Sequence, residues 1–66
     1  MYEKIGVAAG DIWRELHNQG EIPITTLNRK TGLPVGLFYM ALGWLSREDK
    51  LCYRRDSRKV YVALKE

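Results

Sequence analysis

The sequence predicts an α+β domain: three helices, a short strand between the first two, and a C-terminal β-hairpin. Three observations lead there. Apolar residues recur at helical spacing over YEKIGVAAGDIWRELHNQG, residues 2–20, and again over residues 34–48. A proline-containing tetrapeptide, EIPI at residues 21–24, separates the first of these segments from the rest of the chain. From Leu51 onward, LCYRRDSRKVYVALKE changes to an alternation of period two.

In the first segment Ile5, Ala9, Ile12 and Leu16 fall at steps of four, three and four, one apolar stripe on a helix. Gly20 stands where a helix C-terminal glycine is expected. Gly6 and Gly10 lie one turn apart inside that helix, each at a cost of about 1 kcal/mol relative to Ala. They open a flat strip for another backbone, or the helix simply tolerates them. In EIPI, Ile22 and Ile24 point the same way in an extended chain, and Pro23 suits an edge strand. Thr25 or Thr26 offers a hydroxyl to cap the next, short helix, roughly TLNRKT, which stops at Gly32 and turns Leu27 and the Thr31–Leu33 region inward. Pro34 suits the first turn of a third helix running to about Glu48, with Phe38, Ala41, Leu42 and Leu45 as its buried stripe. For the hairpin, Asp56-Ser57 is the expected turn. That register sets Tyr53 against Val60, Leu51 against Val62, Arg54 against Lys59 and Arg55 against Arg58.

The chain of 66 residues is read as one domain, 1–66. At this size only about 60% of the unfolded chain's surface is buried, so self-association is the natural supplement to a small core. Cys52 is the single cysteine, so no internal disulfide forms and a reducing cytoplasm fits. One His and one Cys do not make a structural zinc site, and no metal or cofactor is expected. No run reaches the roughly 18 apolar residues of a membrane span, and the N-terminus with Glu3 and Lys4 shows no signal-peptide pattern. The net charge is +3, and all of the excess lies after residue 33, densest in RRDSRK, residues 54–59.

The order helix, strand, helix, helix, strand, strand is that of a winged helix. GEIPITTLNRKTGLPVGLFYMALGWLSREDKL resembles a winged helix-turn-helix, with Gly20, Leu27, Gly32, Leu33, Leu42, Leu45 and Leu51 at family spacing. More narrowly, IGVAAGDIWREL followed by LFYMALGWLSREDKL is similar to a family of small, stand-alone prokaryotic winged-helix proteins of uncharacterised function. Tyr39, Ala41, Leu42, Gly43, Trp44, Leu45, Arg47 and Glu48 match that family's third helix. The resemblance implies the fold, and through it a DNA-binding, transcription-associated role.

A winged helix lays its third helix in the major groove and touches backbone or minor groove with its wing. Aligned with that motif, Pro34, Val35, Gly36, Leu37, Tyr39, Met40 and Gly43 face outward, and only Tyr39 among them hydrogen-bonds through its side chain. Direct base readout, which needs such donors and acceptors, is therefore expected to be poor. The wing carries Arg54, Arg55, Arg58 and Lys59, with Arg29, Lys30 and Arg47 as further cations. In the register above, like charges face each other, which a phosphate would relieve. The alternative is that these charges are merely solvated and guard a sheet edge.

The second function class is a protein interface. Val35, Leu37, Tyr39, Met40 and Trp44 are too many to bury in one small domain, and Gly36 and Gly43 would admit a partner backbone. A homodimer through this face is expected, with Gly6, Gly10 and Trp13 of the first helix as candidates to join it. The other reading makes Trp13 and Trp44 ordinary core aromatics. Catalysis is not expected. His17 reads as a surface residue at a helix end, Cys52 has no assigned role, and no phosphate loop, carboxylate pair or small-molecule site is visible.

Overall fold

The computed structural model describes residues 2–65. Helix α1 spans Tyr2–Gln19, strand β1 Ile22–Pro23, helix α2 Ile24–Thr31, helix α3 Val35–Arg47, strand β2 Leu51–Asp56 and strand β3 Lys59–Leu64. The strands form one antiparallel sheet in the order β1-β3-β2. This is the expected element order.

One core joins the layers. Ile5, Ala8, Ala9, Ile12 and Leu16 of α1 pack with Leu27 of α2, Phe38, Ala41, Leu42 and Leu45 of α3, and Ile22, Leu51 and Val62 of the sheet. Phe38, Ile12, Leu27 and Val62 have no exposed surface. No polar or charged side chain is buried among the described residues, so the core is held by apolar burial alone.

The chain breaks where its backbone chemistry demands. Gly20 adopts φ 72°, the left-handed region that ends α1, and its N–H reaches the Leu16 carbonyl at 2.8 Å. Gly32 repeats this at φ 70°, closing α2 on the Asn28 carbonyl. Two side chains staple the same turn: the Asn28 amide donates to the Leu33 carbonyl at 3.1 Å, and the Thr31 hydroxyl to the Asn28 carbonyl at 3.0 Å. That fixes the entry of α3 relative to α2.

The structure corrects three expectations. Helix α2 begins at Ile24, directly after the strand, with Pro23 at its N-cap and no side-chain cap. Neither Thr25 nor Thr26 caps it, because the proline sets φ to −62° and lacks an N–H, so the chain passes from sheet pairing straight into the helix. Leu37, expected outward, is half-buried and packs on the core. The hairpin turn is Ser57-Arg58, with Ser57 in the left-handed region at φ 58°. The register is therefore Leu51 with Leu64, Tyr53 with Val62, Arg54 with Tyr61, Arg55 with Val60 and Asp56 with Lys59. This slips the strands by two residues, which keeps every side chain on its expected face. The pairs of like charge disappear, and the residue facing Lys59 is Asp56, of opposite charge.

Candidate nucleic-acid interface

Tyr39 projects from α3 on the side toward the wing. It lines a groove of about 230 Å³ together with Pro23, Ile24 and Thr25 at the start of α2 and Arg58, Lys59 and Val60 of the wing. Three elements thus converge here: a phenol, a threonine hydroxyl and two cations over an apolar floor. Tyr39 is about half exposed and stacks edge-on against Phe38, with ring centroids 5.1 Å apart. The core phenylalanine sets the direction of the ring.

Beyond its strand pairing with β1 and its core residues Leu51 and Val62, polar side chains tie the wing to the body on both faces. On the core side, the Tyr53 hydroxyl of β2 hydrogen-bonds the Ser46 hydroxyl of α3, and Ser46 donates to the Leu42 carbonyl at 3.0 Å. On the opposite side Arg54 reaches Glu21, just before β1. Its Nη2 lies 2.8 Å and its Nε 3.1 Å from the carboxylate oxygens, a two-pronged pair, and its guanidinium sits 4.5 Å from the centroid of the Tyr61 ring. Asp56 lies 3.6 Å from the same guanidinium. The hydrogen bonds from Arg54 hold the Glu21 carboxyl below its ordinary value, and the same contacts raise Arg54.

The seven cations singled out in the sequence therefore divide. Arg54 is already neutralised by Glu21. Arg55, Arg58, Lys59, Arg29, Lys30 and Arg47 are exposed and make no ion pair among the described residues. Of these, Arg58 and Lys59 share the groove with Tyr39, whereas Arg47 lines a separate hollow with Trp44 and Glu48. Arg29 and Lys30 stand in the last turn of α2. Sequence reasoning missed Thr25 as a groove residue. The one signal for it was its place two residues after the β1 proline.

Outward on α3, Val35, Met40 and Trp44 are exposed, as are Gly36 and Gly43. A Cβ added at either glycine would meet nothing within 4 Å, so a backbone or a flat ring can approach the helix closely there. The seam between α1 and α3 holds two open apolar hollows. Val7 and Leu33 line one and Met40 and Gly36 the other, with Lys4 and Leu37 common to both. Trp13 lies elsewhere. It stacks on His17 at 5.1 Å, and His17 borders a different hollow with Glu21, Cys52 and Ala63. Trp13 and Trp44 are both more than 40% exposed, so neither is a core aromatic. Cys52 is an exposed free thiol. Among the described residues no cluster of His, Cys, Asp and Glu is arranged to hold a metal, and no helix is long and apolar enough to cross a membrane.

Residues 1–64 match the protein family described as a winged helix-turn-helix domain (DUF2582). An uncharacterised protein of Methanocaldococcus jannaschii is 38% identical over 68 residues, covering 98% of this chain and 96% of its own length. A protein of Bacteroides thetaiotaomicron, solved by solution NMR, is similar in structure with a TM-score of 0.82 and 32% identity, over 94% of this chain and 76% of that one. The Zalpha domain of PKZ from Carassius auratus, crystallised in complex with Z-DNA, gives a TM-score of 0.75 over 92% of this chain and 97% of that one. At 18% identity that likeness is one of fold.

Proposed function

This chain belongs to the winged helix-turn-helix family DUF2582, and on that premise we propose that it binds duplex DNA through the groove between α3 and the wing. The observation that carries the reading is the convergence of Tyr39, Thr25, Arg58 and Lys59 on one groove. The two cations hold phosphate, the Thr25 hydroxyl donates to a phosphate or sugar oxygen, and the Tyr39 ring packs on the sugar or base face. Arg55 stands at the same wing as a further phosphate contact. Arg29, Lys30 and Arg47 add long-range attraction.

Few groups on α3 can read base edges, so the affinity is largely insensitive to sequence and sensitive to salt. Non-specific duplex binding of this kind suits a transcription-associated protein, and a DNA partner with a free Cys52 favours the cytoplasm as its compartment. The likeness in fold to a domain solved with Z-DNA makes duplex form worth resolving. The test is a fluorescence titration against random duplex and against a duplex held in the left-handed form, each at two salt concentrations. Binding should weaken as salt rises, by about 0.9 in logarithmic slope per phosphate neutralised. Arg58→Glu with Lys59→Glu should abolish it. Absence of binding to both duplexes at low salt would refute the reading.

The α1–α3 seam favours a second reading, in which the protein pairs with a second copy of itself. Glu3 and Lys4 both border one of the apolar hollows there, and a two-fold contact can set each against the opposite charge on the partner. Val35 and Trp44 are exposed on the same helix and Gly43 allows close approach, whereas Trp13 lines neither hollow. Light scattering at high micromolar concentration tests this: Met40→Glu should shift a dimer to monomer, and a wild-type chain that is already monomeric ends the idea.

A further inference from the structure

The wing carries two kinds of arginine, and the difference assigns them different work. Arg58 makes no ion pair among the described residues and lines the groove. Arg54 is held on three sides: by the Glu21 carboxylate, by the Tyr61 ring beneath it and by Asp56 beside it. These contacts span the sheet. Arg54 is on β2, and Tyr61 pairs with it from the central strand β3. Glu21 stands one residue before β1, which pairs with β3 through Ile22 with Val62 and Pro23 with Tyr61. Tyr61 is thus the cross-strand neighbour of both Arg54 and Pro23, and Pro23 lines the groove. Only two residues of β1 pair with β3, so backbone bonding alone is a slight tie between the helical body and the wing.

From this we infer that the Glu21–Arg54 pair is a clamp that positions the wing. It fixes Arg58 and Lys59 against the Pro23–Thr25 wall and does not itself contact phosphate. The clamp rests on the DNA-binding reading above for its function, and on the geometry alone for its mechanics. Two-pronged pairing is what suits it to the task. A guanidinium fixed at Nε and Nη2 and laid on a ring keeps one orientation, which a lysine ammonium would not. The pair also removes one positive charge from the wing surface, an odd arrangement for a residue whose purpose was phosphate attraction.

The charge balance makes the test sharp, because the two accounts predict opposite signs. Glu21→Ala removes a negative charge and frees Arg54. If the wing acts only through its field, this variant binds duplex DNA more tightly and with a steeper salt dependence. If the clamp positions the wing, it binds more weakly, by up to about fivefold, at an unchanged salt slope. Arg54→Lys, which keeps the charge, should show the same loss. The double variant Glu21→Ala, Arg54→Lys should lose no more than the larger of the two single losses, since both break the same two-pronged pair. Circular dichroism should show all of them folded at the binding temperature. Tighter binding by Glu21→Ala, or wild-type binding by Arg54→Lys, overturns the clamp. A second readout needs no DNA: backbone ¹⁵N relaxation at Ser57, Arg58 and Lys59 should report greater mobility in Glu21→Ala than in the wild type. Unchanged order parameters there overturn the clamp, while loss of duplex binding by the wild type overturns only the DNA reading.

Discussion

In α3, Phe38, Ala41, Leu42 and Leu45 are buried, whereas in β2 Leu51 alone is. Helix α3 lines the proposed groove through Tyr39 and the wing lines it through Arg58, Lys59 and Val60, and different forces hold the two in place. Helix α3 is set by apolar burial and is as fixed as the core. The wing reaches the core through Leu51 and Val62 at its base, and beyond them it is set by a few polar contacts at its two flanks, Ser46 with Tyr53 and Glu21 with Arg54. The lesson is that the groove has one rigid wall and one adjustable wall. Changes on the first should register as stability, and changes on the second as binding.

The largest expected effect tests the rigid wall. Phe38 has no exposed surface, so Phe38→Ala should cost about 3–5 kcal/mol through lost burial and the cavity left behind. In a chain this short that is most or all of the stability, and urea denaturation followed by circular dichroism should show it. Next is Gly43→Ala on the outer face of the same helix. Its Cβ meets nothing, so the domain should gain about 1 kcal/mol of helical stability. If DNA or a second copy approaches α3 closely there, the same variant should bind less well while melting higher. A fall in stability would show that Gly43 has a role within the chain itself.

On the adjustable wall the stability effect should be small. Arg58→Glu with Lys59→Glu should change it by no more than about 0.5 kcal/mol, because both side chains are exposed, even though it removes DNA binding. A large loss of stability would erase the distinction between the walls. The smallest effect is the pH dependence of the clamp. Hydrogen bonding from Arg54 lowers the folded-state pKa of Glu21 below its ordinary 4.5. The pair's contribution is therefore fully present above that ordinary value and is lost as pH falls through the lowered one. The difference in melting temperature between wild type and Glu21→Gln should shrink on acidification.

The sequence made the helices legible and left the wing's wiring hidden. The stripes Ile5–Ala9–Ile12–Leu16 and Phe38–Ala41–Leu42–Leu45 state their faces directly, because burial follows the helical repeat. Leu37 escaped this reading, since it stands at the edge of the stripe and the packing of α1 decides its burial. The hairpin register escaped it for a different reason. A slip of two residues leaves Leu51, Tyr53, Val62 and Leu64 on one face, so alternation alone does not separate Asp56-Ser57 from Ser57-Arg58 as the turn. Arg54 was expected to hold phosphate because RRDSRK is locally basic. Its partner Glu21 is 33 residues away, and local spacing carries no trace of that pairing. At the candidate site, Tyr39, Arg58 and Lys59 were named from composition and motif alignment. Their meeting with Thr25 is a product of the fold.

The order of the sheet has a consequence for how the chain assembles in time. Strand β3 is the middle strand and follows the other described elements in sequence, and Val62 within it is wholly buried. The helices are complete in sequence by Arg47, but the floor on which Ile22 and Leu51 rest is still missing at that point. Closing the sheet joins Ile22 to Val62, forty positions further along the chain, a long loop to draw in. In synthesis order the helices therefore precede β3, and neither the core nor the groove between α3 and the wing is complete before that strand is in place.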